Sequence, residues 1–232
     1  NFFEYCRPLF VYGLIGFAPL SGTSWLLQHF CGSTDQAYYQ AGFRFSSISI
    51  IAVTSFLKIF QKELSELFSI NNTQAAMRLY EKFSTIIVGS CAMICALIFS
   101  WIGLLVGVAF GESYLPATLI FQVLIFYPIF QSLGQIVGAL YYSSGETALY
   151  SKIGIMNMIF LSLTSYLVLA SSDSFFPGFS MGVTGLSIST VVLGAICPCI
   201  SVYIFSKKYS WNNYIIRNIM LVLILFILLA NL

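Results

Sequence analysis

Long runs of apolar residues separated by short polar connections dominate this sequence of 232 residues. Each of the first six runs reaches the roughly 17–18 residues that an α-helix needs to cross about 30 Å of hydrocarbon. A seventh run is shorter and stops at the end of the chain. The predicted spans are approximately Pro8–Gln28, Tyr38–Lys58, Phe83–Phe110, Leu115–Tyr142, Ile153–Ala170, Val183–Phe205 and the truncated Asn218–Leu229.

These runs predict helices, because the strands of membrane barrels alternate apolar and polar residues over about 10 positions and the runs do not alternate. Without water to bond the backbone, a lipid-exposed segment satisfies its own polar groups by forming a helix. Composition agrees, since 59% of the residues are hydrophobic and only 8% are charged, against about 25% charged in soluble domains. The predicted fold is an all-α, polytopic membrane bundle that forms one transmembrane domain over residues 1–232.

The chain does not begin with Met, and it reaches its first span within a few residues. Its start also lacks the basic head and cleavage site of a signal peptide. We therefore expect a piece of a longer protein that is cut at both ends.

Basic residues are confined to alternate connections. Nine of the ten Lys and Arg residues fall in one set, whereas the connections 29–37, 111–114 and 171–182 contain none. The positive-inside rule therefore places the N-terminus of this segment in the cytoplasm and those three connections outside. In the longest connection, Asn71 or Asn72 is expected to cap a helix that runs into the third span.

The sequence lacks the catalytic, metal-binding and phosphate-binding motifs that are common in soluble proteins. One His is too few for a histidine-based metal cluster or a Ser-His-Asp set, and no Gly-rich phosphate loop is followed by Lys. The outside connections, at about twelve residues or fewer, leave no room for a catalytic domain. We therefore do not expect an enzyme, a cofactor or metal site, or a nucleic-acid-binding protein.

Polar residues inside the second span fall within one sector of a helical projection. Arg44 lies about 13 Å below Asp35 at the outer boundary, taking 1.5 Å per residue. Facing lipid there would cost about 2–3 kcal/mol or more, so its guanidinium should face protein or water. It either lines a cavity or is a structural group bonded to carbonyls or a carboxylate. The sector contains Gln40, Arg44, Ser47, Thr54, Ser55 and Lys58.

Weaker polar faces occur on three other spans. Gln28 shares a face with Ser21, Ser24 and Trp25 near the outer end of the first span. Gln131 and Gln135 lie together in the fourth, and Asn157 lies on the polar face of the fifth. Such residues either contact a ligand or bridge neighbouring helices. Together they predict a bundle around a polar cavity.

Four segments resemble a known family. They are YCRPL at residues 5–9, YYQAGFRFSSI at 38–48, YSSGET at 142–147 and GVTGLSIST at 182–190. They resemble the second half of O-antigen-type polysaccharide flippases, which belong to the multidrug/oligosaccharidyl-lipid/polysaccharide exporter superfamily. The resemblance extends over residues 5–205.

The resemblance implies one lobe of a two-lobe transporter in the bacterial cytoplasmic membrane. Its substrate would be a polyprenyl-pyrophosphate-linked oligosaccharide, flipped by alternating access. Arg44 would contact the anionic head, since guanidinium engages oxyanions through paired donors. Implied partners are membrane lipids, an N-terminal lobe of the same protein and polysaccharide-assembly proteins. The sugar hydroxyls would bond to Gln40, Ser47, Gln131 and Gln135, with Gln28 and Asn157 as further cavity residues.

Other classes remain open at this point. An ion-coupled exporter of small molecules in the same superfamily would carry a carboxylate within the membrane. A polytopic polysaccharide polymerase or glycosyltransferase would carry a large catalytic loop or domain. A scaffolding protein would leave the polar sector of the second span unexplained.

The charge asymmetry makes a direct prediction about orientation. Alkaline phosphatase, which is active only outside the cytoplasm, should be active when fused within residues 29–37 or 111–114. It should be inactive when fused within 61–82. The reverse pattern of activity would contradict the predicted orientation.

Overall fold

A computed structural model describes residues 2–48, 50–172, 174, 176–209 and 211. The secondary structure of these residues is helical. A 3₁₀ turn, Glu112–Ala117, separates the fifth and sixth of the described helices. The helices are α1 (Phe2–Phe30), α2 (Ser33–Ser47), α3 (Ile50–Ser69), α4 (Thr73–Phe99), α5 (Ile102–Phe110), α6 (Thr118–Leu124), α7 (Tyr127–Ser143), α8 (Thr147–Leu169) and α9 (Gly182–Lys208).

Five helical segments of the described chain are long and apolar enough to cross a membrane. They correspond to the first, third, fourth, fifth and sixth predicted spans. The second predicted span is divided between α2 and α3, and α2 has only 15 residues. The truncated seventh span, Asn218–Leu229, lies outside the described residues.

Two other predicted spans are also interrupted. The third is divided between α4 and α5, and the fourth contains the 3₁₀ turn, α6 and α7. Pro128 explains the break before α7, because proline has no N–H and its ring clashes with the carbonyl four residues earlier. The N–H of Phe126 bonds instead to the carbonyl of Val123, one residue closer than in an α-helix.

The contacts divide the chain into two compact units. The first comprises Asn1–Ile48, Trp101–Tyr127 and Thr147–Leu193, and the second comprises Ser49–Ser100, Pro128–Glu146 and Gly194–Leu232. Some helices contribute residues to both, and each unit has its own packing.

Helices α1 and α8 pack along one another in the first unit. The ring of Tyr12 lies over Gly154 of α8 and meets Tyr150 edge-on, with 5.8 Å between ring centroids. The hydroxyl of Thr147 donates to the carbonyl of Tyr5 at 3.1 Å, which joins the first turns of the two helices. Small residues thus allow close approach, as is usual between membrane helices.

Aromatic rings fill much of the core of the second unit. Phe60 of α3 and Phe83 of α4 stack with centroids 4.1 Å apart. The buried hydroxyl of Tyr141 on α7 donates to the carbonyl of Ser201 on α9 at 2.8 Å. That hydrogen bond satisfies a polar group that would be costly to bury alone.

Within each unit, contacts link connections of the same kind, either those that contain Lys and Arg or those that contain none. In the first unit Tyr38, which directly follows the connection 29–37, donates from its hydroxyl to the carbonyl of Ser113 in the connection 111–114 at 2.9 Å, and neither connection contains Lys or Arg. In the second unit Lys208 forms an ion pair with Glu146, which joins two connections of the basic set. The alternation of connections therefore agrees with the structure, and the choice of cytoplasmic face stays a prediction.

The predicted cap before the third span is confirmed at Asn72. Its side-chain oxygen accepts a hydrogen bond from the backbone N–H of Ala75 at 3.1 Å, and α4 begins at Thr73. The cap satisfies one of the N–H groups that the first helical turn leaves without an intrahelical partner.

The approach of Tyr12 to Gly154 makes a prediction about stability. A Cβ at position 154 would collide with the Tyr12 ring, so Gly154→Ala should destabilise the protein by about 1–3 kcal/mol. Gly89→Ala is the control, since nothing lies within 4 Å of a Cβ added there. Thermal unfolding of the complete protein in detergent should show a lower Tm for Gly154→Ala only. Equal Tm values for the two variants would contradict the close packing of α1 and α8.

Candidate functional site

The hairpin between α1 and α2 brings several of the predicted polar residues together. The chain reverses at Cys31 and Gly32, and Gly32 has a φ of 91° that favours glycine. Burial, aided by nearby Asp35, raises the pKa of the Cys31 thiol, so this thiol stays protonated at neutral pH. A two-residue reversal makes the two helices antiparallel neighbours.

One hydrogen bond sets the register of the two helices. The side-chain amide of Gln40 donates to the hydroxyl of Ser24 at 3.0 Å. Arg44 follows Gln40 by one turn and Gln28 follows Ser24 by one turn. Because the helices are antiparallel, Arg44 lies about 6 Å to one side of this contact and Gln28 about 6 Å to the other.

Helix α2 is also fixed by two other helices of the first unit. The hydroxyls of Tyr39 and Thr190 of α9 are hydrogen-bonded at 2.9 Å. Gly42 is buried against Phe121 and Leu124 of α6, where a Cβ would come within 3.1 Å of the Leu124 side chain. These contacts give the side chains of α2 fixed directions.

Arg44 lies on the face of α2 that these contacts leave open. Ala37, Arg44 and Ile48 are all exposed and share one side of the helix. Within the described part of the chain, the guanidinium forms no hydrogen bond or ion pair. A carboxylate or carbonyl partner, the structural alternative for this residue, is therefore not found among the described residues.

Ser47 lies on the same side as Gln40 but is half-buried. Its hydroxyl donates to the carbonyl of Phe43 in its own helix at 2.7 Å. The bond occupies its proton and leaves its oxygen as an acceptor only. Ser47 is therefore less available to a ligand than Arg44.

The C-terminal end of α1 completes the polar surface. Ser21, Trp25 and Gln28 are exposed on it, and Ser21 lies nearly level with Arg44 in the register set by Gln40 and Ser24. We call this surface the hairpin groove. It consists of Ser21, Ser24, Trp25, Gln28, Gln40 and Arg44.

The other predicted residues lie elsewhere. Asn157 is half-buried on α8 of the first unit. Gln131 and Gln135 are half-buried on α7 and belong to the second unit. The Oε1 atom of Gln135 is buried, and no residue in the described chain bonds to it. These three residues stay predictions.

The sequence placed Trp25 on the polar face of the first span, but the aromatic cluster that surrounds it was missed. Trp25 stacks on His29, with 5.2 Å between ring centroids and an interplanar angle of 4°. Phe30 meets His29 edge-on and Tyr166 of α8 edge-on. The four-residue spacing of Trp25 and His29, which places them on one helix face, was the available signal.

The groove presents one fixed positive charge among neutral donors and acceptors. A guanidinium at this depth can form paired hydrogen bonds with a phosphate or carboxylate. The amide of Gln28 can both donate and accept, as sugar hydroxyls do. The arrangement is suited to binding an anion that carries a hydroxyl-rich group.

No protein-family model and no curated protein matches the chain. Among solved structures, the chain is similar to the crystal structure of a MATE mutant, with 13% sequence identity and a TM-score of 0.70. The match covers 88% of this chain and 44% of that chain. The chain thus spans less than half the length of its structural neighbour.

This likeness confirms the predicted class of fold, an all-α polytopic membrane protein. Fold alone does not determine function, which depends on the residues of the site.

The contact between Gln40 and Ser24 can be tested by a double-mutant cycle. Gln40→Leu and Ser24→Ala should show a coupling energy of about 0.6 kcal/mol, with an upper bound near 1.7 kcal/mol, because both remove the same hydrogen bond. Unfolding of the complete protein in detergent provides the measurement. The pair Ser24→Ala and Ser47→Ala should be additive, since Ser47 bonds within its own helix. Additivity in both pairs would contradict the register proposed for the hairpin.

Proposed function

We propose that the chain is part of a flippase that moves a polyprenyl-pyrophosphate-linked oligosaccharide across the bacterial cytoplasmic membrane by alternating access. The fold supports a membrane transporter rather than an enzyme, and the sequence resemblance supports the substrate class. The observation that carries the proposal is the guanidinium of Arg44 in the hairpin groove, which is exposed and forms no hydrogen bond or ion pair with any described residue.

An exposed guanidinium on a membrane helix needs a reason, because contact with hydrocarbon would cost about 2–3 kcal/mol or more. An aqueous cavity removes that cost. An anionic ligand adds attraction, since two charges about 4 Å apart at a protein surface interact by about 4 kcal/mol before desolvation is subtracted. A pyrophosphate supplies both the charge and several acceptor oxygens.

The neighbouring residues suit the remainder of this substrate. Gln28 is exposed and can exchange hydrogen bonds with sugar hydroxyls. Gln40 keeps α2 in place through Ser24, and one of its amide protons and its carbonyl oxygen remain to contact a ligand. In this proposal Asn157 contacts the substrate from α8 of the same unit, and Gln131 and Gln135 stay predictions from the sequence.

A second candidate is an ion-coupled exporter of small molecules, which the likeness to a MATE structure favours. Such a protein is expected to carry a titratable acid within its membrane spans. The charged residue in the span interiors of this sequence is Arg44. A fixed cation favours an anionic substrate over a coupled cation.

The role of Arg44 can be tested in cells where the complete protein is the sole flippase for a surface polysaccharide. Arg44→Gln should reduce export at least tenfold, because the neutral amide cannot balance the charge of the pyrophosphate. Arg44→Lys should retain partial export, since it keeps the charge and loses the bidentate geometry. The measurement is surface polysaccharide relative to the amount of protein in the membrane.

Lys58→Gln serves as the matched control, since it removes an exposed positive charge from α3 at the predicted cytoplasmic boundary. It should leave export near the wild-type level. Normal export by Arg44→Gln at normal protein levels would contradict the proposal. Efflux of cationic dyes that is unaffected by Arg44→Gln, without any polysaccharide export, would support the second candidate.

A further inference from the structure

The stacked pair of Trp25 and His29 forms a flat aromatic surface at one edge of the hairpin groove. The indole of Trp25 is 62% exposed, and the two ring planes differ by only 4°. His29 covers part of one face of the indole, so the opposite face is the one available to a ligand. Exposed aromatic faces of this kind bind apolar, planar or ring-shaped groups.

Contacts with neighbouring aromatic residues hold the pair of Trp25 and His29 in place. Phe30 contacts the His29 ring edge-on at 4.8 Å and the Tyr166 ring edge-on at 6.0 Å. The hydroxyl of Tyr166 donates in turn to the carbonyl of Phe176 at 3.2 Å. This chain of contacts connects the pair to α8 and to the segment that follows it. A surface held in one orientation before binding loses less entropy when a ligand stacks on it.

The position of the pair relates it to Arg44. In the register set by Gln40 and Ser24, Trp25 lies nearly level with Tyr39, which precedes Arg44 by five residues. The indole and the guanidinium are therefore offset by about 7–8 Å along the helix axis. An anion bound at Arg44 would place a directly attached ring beside Trp25. Gln28 lies nearer to the chain reversal than either of these residues.

We propose that Trp25, backed by His29, is a stacking site for a sugar ring of the substrate whose pyrophosphate binds at Arg44. The proposal rests on the proposed flippase function and assigns a subsite within it. The apolar face of a pyranose ring would pack on the open face of the indole. Its hydroxyl groups would project sideways toward Gln28 and water.

Another role for an exposed Trp near the end of a membrane helix is anchoring at the lipid interface. Trp101 provides a matched control, because it is 63% exposed and lies between α4 and α5. If anchoring were the function of Trp25, the two residues should respond alike to substitution. A sugar site should respond at Trp25 only.

The test measures binding to the complete purified protein in detergent. Two probes are used, undecaprenyl pyrophosphate and undecaprenyl-pyrophosphate-linked N-acetylglucosamine. The wild-type protein should bind the sugar-bearing probe about tenfold more tightly than the bare lipid. Trp25→Leu should remove this difference and leave the affinity for the bare lipid unchanged. Trp25→Phe should keep part of the difference, and Trp101→Leu should keep all of it.

The outcomes separate the two proposals. Equal affinity of the wild-type protein for both probes, or an unchanged sugar preference in Trp25→Leu, would overturn the stacking site while leaving the flippase proposal in place. Equal loss of preference in Trp25→Leu and Trp101→Leu would also overturn it. If neither probe binds to the wild-type protein, or if Arg44→Gln binds both probes normally, the proposed function itself fails.

Discussion

The structure depends on one constraint, which is that a polar group inside a membrane helix needs a partner, either in the protein or in a water-filled or ligand-binding cavity. Most hydroxyls meet this constraint locally. Ser46, Ser84 and Ser187 each donate to a carbonyl four residues earlier in their own helix. Such bonds satisfy the side chain without helping to hold neighbouring helices together. The polar contacts between helices, such as Gln40 with Ser24 and Tyr39 with Thr190, are therefore the informative ones.

Much of the fold could be predicted, because hydrophobic length and charge asymmetry are strong signals in membrane proteins. Five of the first six predicted spans follow from these signals, and the cap at Asn72 follows from the preference of Asn for that position. The breaks were missed because the apolar runs continue across them. Pro128 could have indicated one break, whereas Ile48, at the end of α2, has nothing in its residue type that predicts an end.

The candidate site was partly predictable. Helical periodicity placed Gln40 and Arg44 on one face, and the structure keeps them on adjoining turns of α2. The partner of Gln40 could not be deduced, since a polar face alone does not say which helix it meets. Ser47 fits the same helical periodicity, but the pattern does not reveal that its hydroxyl bonds to the carbonyl of Phe43 in its own helix.

The anchoring of α2 on three neighbouring helices has an electrical consequence. A charge on a firmly packed helix moves only as far as that helix moves, so Arg44 makes any rocking of α2 sensitive to membrane voltage. One elementary charge crossing the full membrane changes energy by about 2.3 kcal/mol per 100 mV, and a partial displacement changes it in proportion. In the proposed cycle, a bound pyrophosphate reverses the sign of the moving charge. Voltage would therefore act in opposite directions on the loaded and the empty carrier.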